Sequence, residues 1–203
     1  MAILGLTKLQ AVNKMLNTLQ QGRVTSLSSS GSWPSRTYST DPDGFAEELL
    51  DVVSNEIQSQ GPAANTARNK KYTVASPGNI TFASTVVRIL PCGPTENKAI
   101  VLRADKAYDL DGDTDTFAAG DYFFHVTSLL DFENLVPELK VLVSDLATLQ
   151  YYNLKGSGDP RMLAYLQEKV AQAYLNVKGI NPPVNPPTPS NPIMTMQASQ
   201  QGR

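Results

Sequence analysis

The stretch DPDGFAEELLDVVSNEIQSQG, Asp41 to Gly61, holds a helix start, an apolar stripe and a helix stop in one run. Asp41 can accept a backbone N–H as N-cap, and Pro42 suits the first helical position, where no N–H is needed. Phe45, Leu49, Val52, Val53 and Ile57 recur at three- and four-residue spacing and predict one buried face. Glu47, Glu48, Asp51 and Glu56 fall mainly on the other faces. Gly61 can take the left-handed conformation that ends a helix, and Pro62 forbids continuation.

Working towards the N-terminus, Thr7 and Gln10 form a capping box ahead of Leu9, Val12, Leu16 and Leu19, so a first helix is predicted to about Gln21, ended by Gly22. Val24 to Thr40 is rich in serine, glycine, proline and threonine. It is predicted to be a loop that packs on a neighbour through Trp33.

Towards the C-terminus, Ala63 to Lys71 is polar and reads as irregular. Short runs rich in branched residues follow at Tyr72–Ala75, Asn79–Phe82, Val86–Leu90, Ala99–Leu102, Lys106–Tyr108 and Asp121–Thr127, separated by glycine and proline, and predict antiparallel strands. Helix returns after Asp131, with Pro137 in its first turn and Leu139, Leu142, Val143, Leu146 and Leu149 as its stripe. Asp159-Pro160 opens a further helix with Leu163, Leu166, Val170, Ala173 and Val177 on one face, closed by Lys178-Gly179.

The expected fold is therefore α+β. It is a four-helix bundle of two helical hairpins with a small inserted antiparallel β-sheet and an extended C-terminal arm. The corresponding divisions are residues 1–62, 63–128, 129–179 and 180–203. The central core residues expected are Phe45, Leu49, Val53, Leu142, Leu146, Leu166 and Val170.

From Ile180 the character changes: five of the next ten residues are proline, and the segment to Arg203 carries one charge. Such a segment has polyproline character, and ordering it costs ~1–2 kcal/mol per residue, so it is expected to be ordered only against another copy or another protein. The candidate partner-contacting residues are Trp33, Ile180, Pro182, Pro183, Pro186, Pro187, Ile193, Met194, Met196 and Arg203.

A net charge of −2 gives no general attraction to nucleic acid or to an anionic membrane. Arg68, Lys70 and Lys71 form the tight basic cluster, read as a solvated strand entry. Cys92 is the one cysteine and cannot form an internal disulfide, which fits synthesis in a reducing cytoplasm. No apolar run approaches the ~20 residues of a membrane span, and Ala2 to Leu6 lacks the form of a secretory signal.

Candidate chemistry is sparse. Asp109, Asp111, Asp113 and Asp115 alternate around Gly112, yet with Asp109 as first ligand the turn glycine position of a calcium loop holds Thr114 and the twelfth position holds Gly120. A polar hairpin tip is the reading adopted. His125, the one histidine, lies among strand aromatics without a second histidine or a cysteine pair. No phosphate loop or nucleophile elbow is present, and no catalytic residue, metal or cofactor is assigned.

Several short stretches stand in a familiar order. Ala11-Val12-Asn13 precedes Leu16 and Leu19, then come Val24-Thr25-Ser26-Leu27 and Gln58-Ser59-Gln60-Gly61. Lys106-Ala107-Tyr108-Asp109 precedes Thr116-Phe117, and Leu129-Leu130-Asp131-Phe132-Glu133-Asn134-Leu135 precedes Pro137. From about Leu6 to Lys178 the chain resembles the tail tubular protein A family of short-tailed bacteriophages. It departs from that pattern at Pro62, where family members carry an aromatic residue, at the basic positions thinned to Lys140, and in the proline-rich arm.

The resemblance implies a structural virion protein at the head–tail junction, made in the host cytoplasm. It would be a head-to-tail adaptor whose copies, about twelve, form a ring. Its expected partners are further copies of itself, the portal protein, a tail nozzle protein of the tail tubular B type, and tail fibres. Genomic DNA would pass through the lumen without sequence-specific binding, and no membrane is involved. The arm is expected to dock on the portal or an adjacent subunit. Two other readings stay open: a different connector component, such as a stopper or tail-completion protein, and a metal-dependent enzyme using Asp109 to Asp115.

Overall fold

The structure, a computed structural model, describes residues 5–30, 36–156 and 158–180, with side chains to Val177. Helix α1 (Lys8–Thr18) opens with the expected capping box: Thr7 Oγ1 accepts the Gln10 N–H at 3.2 Å, and Gln10 Oε1 accepts that of Thr7 at 3.0 Å. It ends earlier than Gly22 suggests. Gln20 takes the left-handed position at φ 57°, and the Gln21 N–H reaches back to the Leu16 carbonyl at 2.9 Å, closing a Schellman motif without glycine. Asn13 explains the early reversal, because its side chain binds both backbone groups of Val24, at 2.8 and 2.9 Å, and draws the chain back along the helix.

Helix α2 (Pro42–Ser59) starts and stops where expected, with Gly61 at φ 80°. Asp41 occupies the cap position, but its carboxylate makes no capping bond; instead the Ser39 hydroxyl accepts the Asp41 N–H at 3.2 Å. This turn needs Gly44, since a Cβ there would lie 2.2 Å from the Ser39 carbonyl oxygen. The buried face is Ala46, Leu50, Val53 and Ile57, rotated from the expected stripe, so that Phe45 and Leu49 are half-buried and Val52 points outward, 44% exposed.

Helices α3 (Pro137–Lys155) and α4 (Pro160–Ile180) follow the sheet, and α4 runs through Lys178-Gly179, where a stop was expected. Three strands, β1 (Thr66–Val74), β2 (Val86–Pro91) and β5 (Gly120–Ser128), make an antiparallel sheet in the order β1-β5-β2, while β3 (Ile100–Arg103) and β4 (Lys106–Asp109) form a separate hairpin. Tyr72 stands opposite Tyr122, and Ile89 opposite Val126. Tyr72, Phe82 and Phe124 pack ring against ring at 4.9–5.8 Å, the centre of a second core that also holds Ile80, Ile100, Ala107 and Phe117.

Two strand expectations change. Ala63 to Lys71, read as irregular, is a short 3₁₀ turn followed by most of β1. As an edge strand with a bulge at Asn69, φ 53°, β1 exposes residues on both faces and so shows no alternation. Asn79 to Phe82 makes only a single-residue bridge, Thr81 to Lys106, while burying Ile80 and Phe82.

The fold is α+β, but the four-helix bundle with a small inserted sheet is not formed. The helices are organised on α3, buried on several faces by Leu139, Leu142, Val143, Leu146 and Tyr151, with the small residues Ser144, Ala147 and Thr148 allowing close approach. Helices α1 and α2 pack on α3 and on each other; α4 packs chiefly on α3. Among its described residues helix α4 buries Leu166, Ala173 and Val177, while Tyr165 and Leu175 on its other sides are exposed. A bundle needs each helix to face two neighbours, and an amphipathic stripe as narrow as that of α4 is satisfied by one. The strands, in two sheets with their own aromatic core, are more than a small insert.

Of the core residues expected, Val53, Leu142, Leu146 and Leu166 are buried, and Phe45, Leu49 and Val170 are half-buried. Leu142→Ala should cost ~2–5 kcal/mol in urea unfolding, whereas Val52→Ala should stay within about 0.5 kcal/mol of the parent.

Candidate functional site

The charged residues assigned by periodicity to the outside of α2 are where the structure departs most from the sequence expectation. Glu47 and Asp51 are buried, and between them lies the Lys8 ammonium, 2.8 Å from each carboxylate and 3% exposed as a residue. The loop before α2 closes over them. The Ser29 backbone N–H donates to Glu47 at 3.1 Å and its hydroxyl also donates to Glu47, while the Tyr38 hydroxyl donates to Asp51 at 2.7 Å. Arg36 bridges Asp51 at 3.2 Å and Asp131 at 3.1 Å. Glu133 completes the group, accepting the Lys8 backbone N–H at 2.8 Å and standing 3.8 Å from the Lys140 ammonium.

Burial works against ionising Glu47, but the hydrogen bonds from Lys8 and Ser29 and the Lys8 charge outweigh it and hold its carboxyl below the ordinary glutamate value. Burial, and then the hydrogen bond to Asp51, pushes the Tyr38 hydroxyl far up, so it remains a donor. Each charge of the group has a partner, an arrangement that fixes the geometry.

A second polar joint links helices to sheet. Gln58, fully buried, donates to Ser54 Oγ and to the Leu130 carbonyl, both at 2.9 Å, and accepts the Leu130 N–H at 2.7 Å. Asn65 donates to the Gln58 carbonyl at 3.2 Å and the Ser128 carbonyl at 3.0 Å. Arg88 of β2 donates to the Gln60 carbonyl at 3.1 Å. The stretches Gln58–Gly61 and Leu129–Leu135 thus meet, as do Asn13 and Val24.

Local periodicity missed Lys8, Ser29, Arg36, Tyr38, Gln58 and Asn65. A signal for part of the group was present: Glu47, Asp51, Ser54 and Gln58 follow one another at spacings that trace a polar stripe beside Ala46, Leu50, Val53 and Ile57.

The other sequence candidates are dispersed. Asp109 Oδ1 accepts the N–H groups of Asp111 and Gly112 at 3.0 and 3.2 Å, Asp113 accepts the Tyr108 hydroxyl at 2.5 Å, and Asp115 accepts Asn79 Nδ2 at 2.7 Å. The carboxylates of Asp109, Asp113 and Asp115 are turned to separate partners around a turn. His125 Nδ1 accepts the Asn69 N–H at 3.3 Å across β5 and β1. Cys92 is buried, which raises its thiol pKa. In the basic cluster, Lys71 pairs with Asp121 at 2.7 Å and Lys70 lies over the Tyr72 ring. Trp33, Pro182, Pro183, Pro186, Pro187, Ile193, Met194, Met196 and Arg203 lie outside the described residues, and Ile180 is described only as backbone ending α4. Among the described residues, no helix is long and apolar enough to cross a membrane.

These buried polar joints tie α1, α2, the loop between them and the sheet to one another. A family model described as "Tail tubular protein" matches residues 9–183, and the chain belongs to the tail tubular protein family of bacteriophages. It is a structural component of the virion tail, and the family is not an enzymatic one. No curated protein matches the chain.

The ionic group gives stability a defined acid dependence. Because the folded Glu47 lies below the ordinary glutamate pKa of 4.5, its contribution is complete above that pH and is lost as pH falls through the folded value. Glu47→Gln should lower stability at pH 7 by ~1.5–3 kcal/mol, with the gap from the parent narrowing in urea titrations as the pH is taken below the ordinary glutamate value.

Proposed function

We propose that this tail tubular protein is the head-to-tail adaptor of its phage, assembling as a ring of about twelve copies between the portal and the tail nozzle. The family match across residues 9–183 is the observation that carries the reading. Two features of the chain agree with it. Helix α4 leaves Tyr165 and Leu175 exposed at separate places, surface that neighbouring copies can cover. The net charge of −2 suits a conduit that must let DNA pass, since a wall that neutralised many phosphates would release counterions and hold the duplex. In this reading the helical parts, residues 1–62 and 129–179, make the ring. The β region, residues 63–128, contacts neighbouring proteins of the tail, and the arm, residues 180–203, docks on the portal or an adjacent subunit.

Electron-microscope projections and the mass of the complex recovered from gently disrupted particles test the proposal. A ring of about a dozen copies on a portal is expected. A single copy, or two or three in contact with neither portal nor nozzle, would sink it and favour a stopper or completion protein. Separately, removal of residues 181–203 is expected to reduce the recovery of assembled particles; unchanged assembly would count against a docking role for the arm residues Pro182 to Arg203.

A further inference from the structure

Strand β1 is an open, basic edge. In the order β1-β5-β2 the far strand β2 has β3 packed beside it, whereas β1 packs on β5. Ala67, Arg68, Asn69, Lys70 and Lys71 are exposed in succession. The ladder passes from Ala67, opposite Val126, to Lys70, opposite Phe124, so Arg68 and Asn69 have no ladder partner on β5. A bulged edge that carries lysine resists pairing with another strand, and what it offers a neighbour is its charge. Lys71 has a carboxylate partner in Asp121 at 2.7 Å, and Lys70 lies over the Tyr72 ring at 5.4 Å. Among the described residues neither Arg68 nor Lys70 is paired with a carboxylate.

We propose that this edge receives the Asp109–Asp113 turn of an adjacent copy of the chain. The turn is held in shape: Asp109 and Thr114 exchange two backbone hydrogen bonds, at 2.8 and 3.2 Å, and the Tyr108 hydroxyl donates to Asp113. Its donors are neutral and leave the charges uncompensated. Of the four aspartates, only Asp115 has a cation among the described residues, Lys106 at 3.4 Å. Those carboxylates do not converge as metal ligands, so one ion does not neutralise them; a row of basic side chains spaced at ~3.3 Å per residue along a strand does. Leu110, 47% exposed, adds an apolar contact beside Asp111. Among the described residues no ion pair joins the turn to the edge within the chain, so each copy carries both surfaces and satisfies neither by itself. A contact between these unlike surfaces is head-to-tail and closes when the copies form a ring. Each exposed pair is weak, and repetition around the ring makes the contact strong and sets its register. The inference rests on the assembly reading above for its neighbour, and adds a contact through the β region to those of the helices.

Charge exchange in the full-length chain tests it, read as the amount of this protein in purified particles. Arg68→Glu with Lys70→Glu leaves both surfaces negative, and Asp111→Lys with Asp113→Lys leaves both positive. All four side chains are exposed, and unfolding midpoints of the purified chains check that the fold is kept. Either variant alone should lower incorporation several-fold. An equal mixture of the two should restore it, because alternating copies then set unlike charges together at every contact, which a contact within one chain cannot do. Loss with the edge variant and no rescue in the mixture would overturn the proposal and assign the edge to a phosphate or to another protein. Parent-like incorporation of both variants would overturn it as well. The parent complex gives a second measurement without substitution: a carbodiimide, which joins a lysine amine directly to a carboxylate, should link Lys70 or Lys71 to Asp109, Asp111 or Asp113. The Lys71–Asp121 pair is its internal control, and the control link without the turn link would count against the contact. A dodecameric ring with neither rescue nor link removes this inference and leaves the adaptor reading. Rescue and link in a complex that microscopy shows is no ring do the reverse.

Discussion

The Lys8 ammonium held between Glu47 and Asp51 is the constraint on which the helical part of the structure turns. Removing an ammonium from water costs several kcal/mol, and here two carboxylates at 2.8 Å offset it. Those carboxylates are themselves buried, so they in turn require Ser29, Arg36 and Tyr38 from the preceding loop. Through Glu133 and Asp131 the same group reaches the segment that leads into α3. The charges define one relative placement of α1, α2, the loop and the entry to α3, because any other would leave a charge buried without its partner.

From that placement the division of the molecule follows. Helix α3, with α1 and α2 packed against it, becomes the interior element; α4, arriving last, packs on the remaining side and leaves a groove towards α1. The sheet keeps a separate aromatic core and is joined to the helices at Gln58, Asn65 and Arg88. Helices and sheet, each with a core of its own, are thus joined through buried polar groups in this tail tubular protein.

Much of the local structure was legible because its causes are local. The capping box at Thr7, the glycine stop at Gly61, the Pro137 and Pro160 helix starts and the central core leucines each depend on residues within a few positions. The family was legible from the ordered short stretches, and those stretches proved to be hydrogen-bond partners: Asn13 with Val24, and Gln58 with Leu130. Their pairing was not legible, since no period links groups that far apart in sequence.

The sequence by itself determined where helices begin, which residues are apolar, that the chain is nearly neutral, and which family order it follows. Tertiary structure alone decided that Glu47 and Asp51 go inside, that β1 begins at Thr66 as a charged edge, and that α4 stands against α3 with no second wall of a bundle. The reason is physical. A period reports which face of an element is apolar, but a polar side chain is buried or exposed according to whether a distant group arrives to neutralise it, and a helix is enclosed or open according to how many neighbours the fold brings.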